Sequence, residues 1–118
     1  RPGLRPTDLE RLRAGLAQSP VGGLLAVPVS DTVKRAGEDG RSVAATLERD
    51  RLWLAQTPQM FRLGPLIDAL EAHPAVTDEA AAIERTGHAP WLIEGGRENF
   101  KVTTAEDLEL MQRLLERR

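Results

Sequence analysis

Leu24-Leu25-Ala26-Val27 is four apolar residues in a row, with no polar alternation. A strand with one wet face alternates apolar and polar side chains. A strand covered on both faces need not. The run therefore demands packing partners on each side, and helices layered on a sheet are the simplest supply. Three further stretches read as strands: Leu52-Trp53-Leu54-Ala55, Trp91-Leu92-Ile93, and Phe100-Lys101-Val102 ending at Thr103. Helical periodicity separates them. Thr7-Asp8-Leu9-Glu10 has the spacing of a capping box, and Leu9, Leu12 and Leu16 then share a face. Leu63, Leu66, Ile67 and Leu70 form a second stripe. A third helix is expected from Thr77, with Asp78 and Glu79 in its first turn and Gly87 as its stop. A fourth is expected from Thr104, burying Leu108, Met111, Leu114 and Leu115. Strands alternating with helices predict an α/β fold. Nothing in residues 1–118 marks an internal domain boundary.

Composition narrows the function classes. Lys+Arg is 16 and Asp+Glu is 18, a formal charge of -2. No basic excess is available to neutralise a run of phosphates, so a nucleic-acid partner is not expected. No apolar run approaches the ~20 residues of a membrane span, and no signal segment opens the chain, so no membrane partner is expected either. Cysteine is absent, which removes disulfides, thiolate metal sites and a cysteine nucleophile and agrees with a cytoplasmic location.

Residues 31–50 do not fit compact packing. Thr32-Val33-Lys34-Arg35 and Ser42-Val43-Ala44-Ala45-Thr46-Leu47 flank Gly37-Glu38-Asp39-Gly40, and Asp39-Gly40 is a hairpin-turn signal. A lone two-stranded hairpin is marginal in water. The segment reads either as an arm needing another surface, most simply a second subunit, or as an ordinary surface hairpin.

The familiar catalytic constellations are missing. His73 and His88 stand alone, without ligand spacing or an adjacent nucleophile, and Gly22-Gly23 and Gly95-Gly96 read as turns rather than phosphate loops. The cations are more informative, being fourteen Arg and two Lys. Lys34 lies in the hairpin. Lys101 lies between Phe100 and Val102 in an apolar pattern, where an unpaired buried ammonium would be costly. It must reach a pocket that holds an anion such as phosphate, or snorkel from an edge strand. Thr32, Thr57, Thr77 and Thr103 flank these elements, and Pro58 restricts Thr57 to an extended geometry that suits a strand exit.

Four strings carry a resemblance: Pro28-Val29-Ser30-Asp31-Thr32-Val33-Lys34, Thr57-Pro58-Gln59-Met60-Phe61, Thr77-Asp78-Glu79-Ala80 and Asn99-Phe100-Lys101-Val102-Thr103. Their order and spacing across nearly the whole chain resemble the 2-C-methyl-D-erythritol 4-phosphate cytidylyltransferase family. The resemblance covers the second half of that family. Its Gly-rich CTP loop is absent, and Arg1-Pro2 matches the end of a string whose acidic residue lies before Arg1. The resemblance implies a Rossmann-like nucleotidyltransferase fold with a mixed sheet. It implies that residues 1–118 are the carboxy-terminal part of one domain, and that residues 31–50 are a β-arm interlocking a homodimer. The implied reaction transfers CMP from CTP to 2-C-methyl-D-erythritol 4-phosphate, with Mg²⁺ held mainly by the nucleotide and the first half, and no metal ligand in this chain. It implies that Arg49, reaching across from the partner subunit, and Lys101 position the substrate phosphate. It also implies that Thr32, Thr57, Thr77 and Arg1 bind substrate, although a chain terminus is usually loosely held. Alone, this chain is expected to be inactive. The alternatives are a related nucleotidyltransferase for another alditol or sugar phosphate, and a non-catalytic α/β dimerisation module.

Overall fold

The computed structural model describes residues 1–118. In chain order the elements are α1 (Pro6–Leu16), β1 (Gly22–Pro28), β2 (Val33–Ala36), β3 (Val43–Leu47), β4 (Trp53–Phe61), α2 (Leu63–Ala72), α3 (Glu79–Arg85), β5 (Trp91–Glu94) and α4 (Ala105–Glu116). One sheet has the order β4-β1-β5, with β1 antiparallel to β4 and parallel to β5. It is a mixed sheet, and the apolar run lies in its central strand. Leu25 and its neighbour Ile93 pack with Leu12 and Leu16 of α1. Successive strand side chains point to opposite faces. Leu24 and its neighbour Leu92 accordingly line a groove on the other side with Ala80 and Glu84 of α3. A second core joins Val21 to Ala69 of α2 and Ala82 and Ile83 of α3. Burying a side chain such as Leu25 or Ile83 stabilises the fold by about 1.5–3 kcal/mol.

Helix starts differ from expectation in two places. α1 begins at Pro6, which fits a first helical position because its missing N–H is not needed there. Thr7 is therefore inside the helix, and Asp8 supplies the reach-back by accepting the Arg5 backbone N–H at 2.9 Å. α3 is capped by Asp78, not Thr77: Asp78 Oδ1 accepts the Ala81 N–H at 2.7 Å. A carboxylate both accepts that bond and complements the positive end of the helix. Gly87, at φ +90°, follows α3 as expected. α4 starts from Thr104 as expected. Its hydroxyl accepts the Asp107 N–H, and Asp107 accepts from the Thr103 and Thr104 backbones and the Thr103 hydroxyl. Those bonds hold the Asp107 carboxyl below its usual range.

The apolar stripes mark helices better than they mark burial. Leu12 and Leu16 are buried, but Leu9 is exposed. Leu63, Ile67 and Leu70 of α2 are exposed and only Ala69 is fully covered. In α4 only Met111 is buried.

Two strand expectations are corrected. β4 does not exit at Thr57-Pro58-Gln59 but continues to Phe61 through a cis Thr57-Pro58 peptide. Proline has no N–H for the ladder, and the pairing slips there: Leu24 faces Gln59 while Ala26 faces Ala55. Phe100-Lys101-Val102 forms no strand. The chain runs irregularly from the end of β5 at Glu94 to Thr104.

β2 and β3 bond to each other as a separate two-stranded sheet. The radius of gyration is 16.5 Å, against roughly 13–14 Å for a compact chain of this length. The hairpin projects. Its turn is built on Asp39, which accepts the Arg41 and Ser42 N–H groups and the Ser42 hydroxyl. These bonds lower the Asp39 carboxyl to about 2. Gly40 takes the left-handed φ of +66° that the turn requires. Lys34 Nζ donates to Thr46 Oγ1 across the pair at 2.7 Å.

Candidate functional site

The segment after β5 carries Lys101, and it is fixed by hydrogen bonds rather than by a ladder. Asp8 Oδ1 accepts the Gly96 N–H at 3.1 Å, and Gln56 Nε2 donates to the Gly96 carbonyl at 3.0 Å. Gly95 packs closely beside Gln56: a Cβ there would stand 2.5 Å from Gln56 Oε1 and displace the end of that side chain. Asn99 Nδ2 donates to the Thr57 carbonyl at 2.8 Å and to Gln56 Oε1 at 3.4 Å. Arg1 donates to the Asn99 carbonyl at 3.0 Å and to the Ala55 carbonyl at 3.3 Å. Glu98 pairs with Arg5 at 2.7 Å and with Arg118 at 2.9 Å, which ties the same segment to both chain ends. Asp8, Gln56 and Asn99 are all buried. A buried polar network holds one geometry only when its bonds are made.

Above this network two open hollows adjoin. One, of about 320 Å³, is lined by Arg1, Leu54, Gln56, Arg97, Phe100 and Lys101 among others. The other, of about 370 Å³, is lined by Arg1, Pro2, Thr57, Lys101 and Val102. The charged side chains on both linings are cations; no carboxylate reaches either. The ion pairs of the chain are Arg5–Glu98, Arg118–Glu98, Arg13–Glu10 and Arg113–Glu109, so Arg1, Arg97 and Lys101 are paired with no acid. The last two pairs are exposed on helix surfaces and carry little energetic weight. A third hollow, between α1 and the end of β4, also carries cations, but Arg13 is held by Glu10 and Arg62 donates to the Ser19 carbonyl. Arg1, Arg97 and Lys101 thus bring three unpaired cations to the two adjoining hollows.

The expected site residues divide into two groups. Arg1, Thr57 and Lys101 come together, and Arg1 is anchored despite its terminal position. Partial burial moves the Arg1 guanidinium below its ordinary value, and arginine stays charged regardless. Arg49, Thr32 and Thr77 line neither hollow. Arg49 lies at the root of the hairpin and donates to the Ser30 carbonyl. Thr32 is exposed just before β2, and Thr77 is exposed beside the α3 cap. Sequence reasoning gives no role to Asp8, Gln56 or Asn99. Their burial depends on contacts 40 or more residues apart, such as Gln56 to Gly96, which local patterns do not encode.

Asn99 is held by its donor side, since its Oδ1 is buried without a partner. Asn99→Asp keeps the shape but sets an acceptor against the Thr57 carbonyl. It should lower the stability of the full-length protein by about 1–3 kcal/mol, read as a lower denaturation midpoint at unchanged slope. An unchanged midpoint would show that Asn99 does not hold the segment.

No helix is long and apolar enough to cross a membrane. The sequence matches the family described as 2-C-methyl-D-erythritol 4-phosphate cytidylyltransferase over residues 1–117. It is similar to a protein of that name from Pseudomonas entomophila, with 58% identity over 116 residues, covering 95% of this chain and 49% of that protein. The fold is similar to a crystal structure of 4-diphosphocytidyl-2C-methyl-D-erythritol synthase, with a TM-score of 0.86 and 44% identity over 95% of this chain and 51% of the other. It is also similar to the Francisella tularensis 2-C-methyl-D-erythritol 4-phosphate cytidylyltransferase, with a TM-score of 0.85 and 38% identity over 96% and 54%. The chain spans about half the length of the relatives it matches.

Proposed function

This chain belongs to the 2-C-methyl-D-erythritol 4-phosphate cytidylyltransferase family, and on that premise we propose that the whole protein transfers CMP from CTP to 2-C-methyl-D-erythritol 4-phosphate. The observation that carries the reading is the carboxylate-free cluster of Arg1 and Lys101 beside Thr57, a surface suited to a small phosphomonoester. This half supplies the acceptor side. An oxygen of the acceptor phosphate attacks the α-phosphorus of CTP, the bond from that phosphorus to the bridging oxygen breaks, and diphosphate leaves with the electron pair. The second ionisation of a phosphomonoester falls near pH 6, so the nucleophile is charged at neutral pH and needs no side-chain base. The task is to bring two polyanions together, which fixed cations do by screening and orientation.

In this reading Lys101 and Arg49 position the acceptor phosphate, Thr57 and Arg1 bind from beside Lys101, and Thr32 and Thr77 complete the contacts. The hairpin of residues 31–50 joins two copies of the protein and carries Arg49 toward the partner subunit's site. The cytoplasm is the proposed location, in keeping with a chain that has no cysteine. Mg²⁺ usually keeps several waters and is held by one or two carboxylates together with substrate phosphates rather than by an all-protein cage. Its proposed place is on the nucleotide phosphates and the remainder of the protein, and no step above is routed through it.

The test is an assay of the full-length protein with CTP and a panel of alditol and sugar phosphates, following diphosphate release. Turnover should require 2-C-methyl-D-erythritol 4-phosphate, and residues 1–118 alone should give none. Preference for a different acceptor would reassign the substrate, and no turnover with any acceptor would favour a dimerisation module.

A further inference from the structure

Arg97 is not among the residues expected to touch substrate, yet it lines the same hollow as Arg1 and Lys101. It is exposed and forms no ion pair; its only side-chain bond is a long one, from Nη1 to Ser30 Oγ at 3.3 Å. Its backbone is held in place by its neighbours: Asp8 and Gln56 fix Gly96 on one side, and Asn99 and Glu98 are tied down on the other. A guanidinium on a fixed backbone, with donors nearly free and paired with no acid, is arranged to bind an anion. Its planar fork offers two parallel bonds to a phosphate, which an ammonium cannot.

We propose that Arg97 is a third phosphate-binding cation of this site, setting affinity for the acceptor. The proposal rests on the reading that this hollow takes the acceptor phosphate. Ser30 holds Arg97 in the absence of the anion and releases it when a better acceptor arrives, because a charge-assisted bond to phosphate is stronger than one to a neutral hydroxyl. The contrary reading is that Arg97 only steadies the root of the hairpin, where the Ser30 carbonyl also accepts from Arg49.

The experiment uses the full-length protein with Arg97→Ala, Arg97→Lys, Ser30→Ala and Lys101→Ala, measuring KM for the acceptor, kcat, and inhibition by inorganic phosphate. Arg97→Ala should raise KM about tenfold and weaken phosphate inhibition in proportion, with kcat changed by less than about threefold. Arg97→Lys should recover part of the loss. Ser30→Ala should leave both constants near wild type. A Ser30→Ala variant that reproduces the Arg97→Ala defect would overturn the proposal in favour of a role in the hairpin root. So would an unchanged KM in a folded Arg97→Ala variant alongside a defective Lys101→Ala, which leaves the proposed function standing. Unchanged kinetics in both Arg97→Ala and Lys101→Ala would overturn the functional reading itself.

Discussion

Lys101→Ala in the full-length protein should lower kcat/KM by roughly 10²–10³-fold while leaving the unfolding midpoint where it was. The two halves of that expectation have separate grounds. Lys101 is exposed, makes no ion pair and lies outside any strand, so the fold gains little from its side chain. Its neighbours are Arg1 and Arg97, so removing it deletes charge from a cationic hollow. A surface lysine with no such task changes stability and activity by little. Lys101→Arg is the informative control: it keeps the charge but enlarges and flattens the head group, and should recover only part of the activity. A near-normal rate for Lys101→Ala, measured with saturating CTP, would remove the central cation from the proposed site.

The fold and the site are legible in the sequence to different degrees. The unbroken run at Leu24–Val27 carries the fold, because continuous apolarity has one economical explanation, a strand covered on both faces. The stripe on α2 identifies the helix but not its contacts. Leu63 and Ile67 remain exposed because periodicity reports which residues share a face, not what covers that face within these 118 residues. Lys101 is conspicuous for the wrong local reason. The apolar pattern around it suggests a cation inside a strand, whereas it stands on an irregular segment pinned by Asp8, Gln56 and Asn99. Those pins are illegible in the sequence. A buried polar side chain looks like any surface one until its distant partner is known, and Asp8 to Gly96 spans 88 positions. Arg49 stands out through family resemblance alone, and within one chain neither it nor Thr77 lies on the hollow with Lys101.

That separation makes subunit mixing the decisive experiment for Arg49. Arg49→Ala and Lys101→Ala full-length proteins should each be nearly inactive, and mixing them with verified subunit exchange should restore activity. If Arg49 serves the partner's site, one site of each heterodimer unites an intact Lys101 with an intact Arg49, while the other lacks both. Equimolar, freely exchanging subunits would then reach about a quarter of wild-type activity, since half the dimers are mixed and half the sites in each are whole. The structure makes the opposite outcome concrete. Arg49 donates to the Ser30 carbonyl, and Ser30 Oγ accepts from Arg97, which lines the Lys101 hollow of the same chain. If Arg49 works through that path, every site in the mixed dimer lacks one of its own two cations, and mixing restores nothing. The projecting hairpin favours recovery, because two strands bonded only to each other present an unpaired surface that a second subunit can cover.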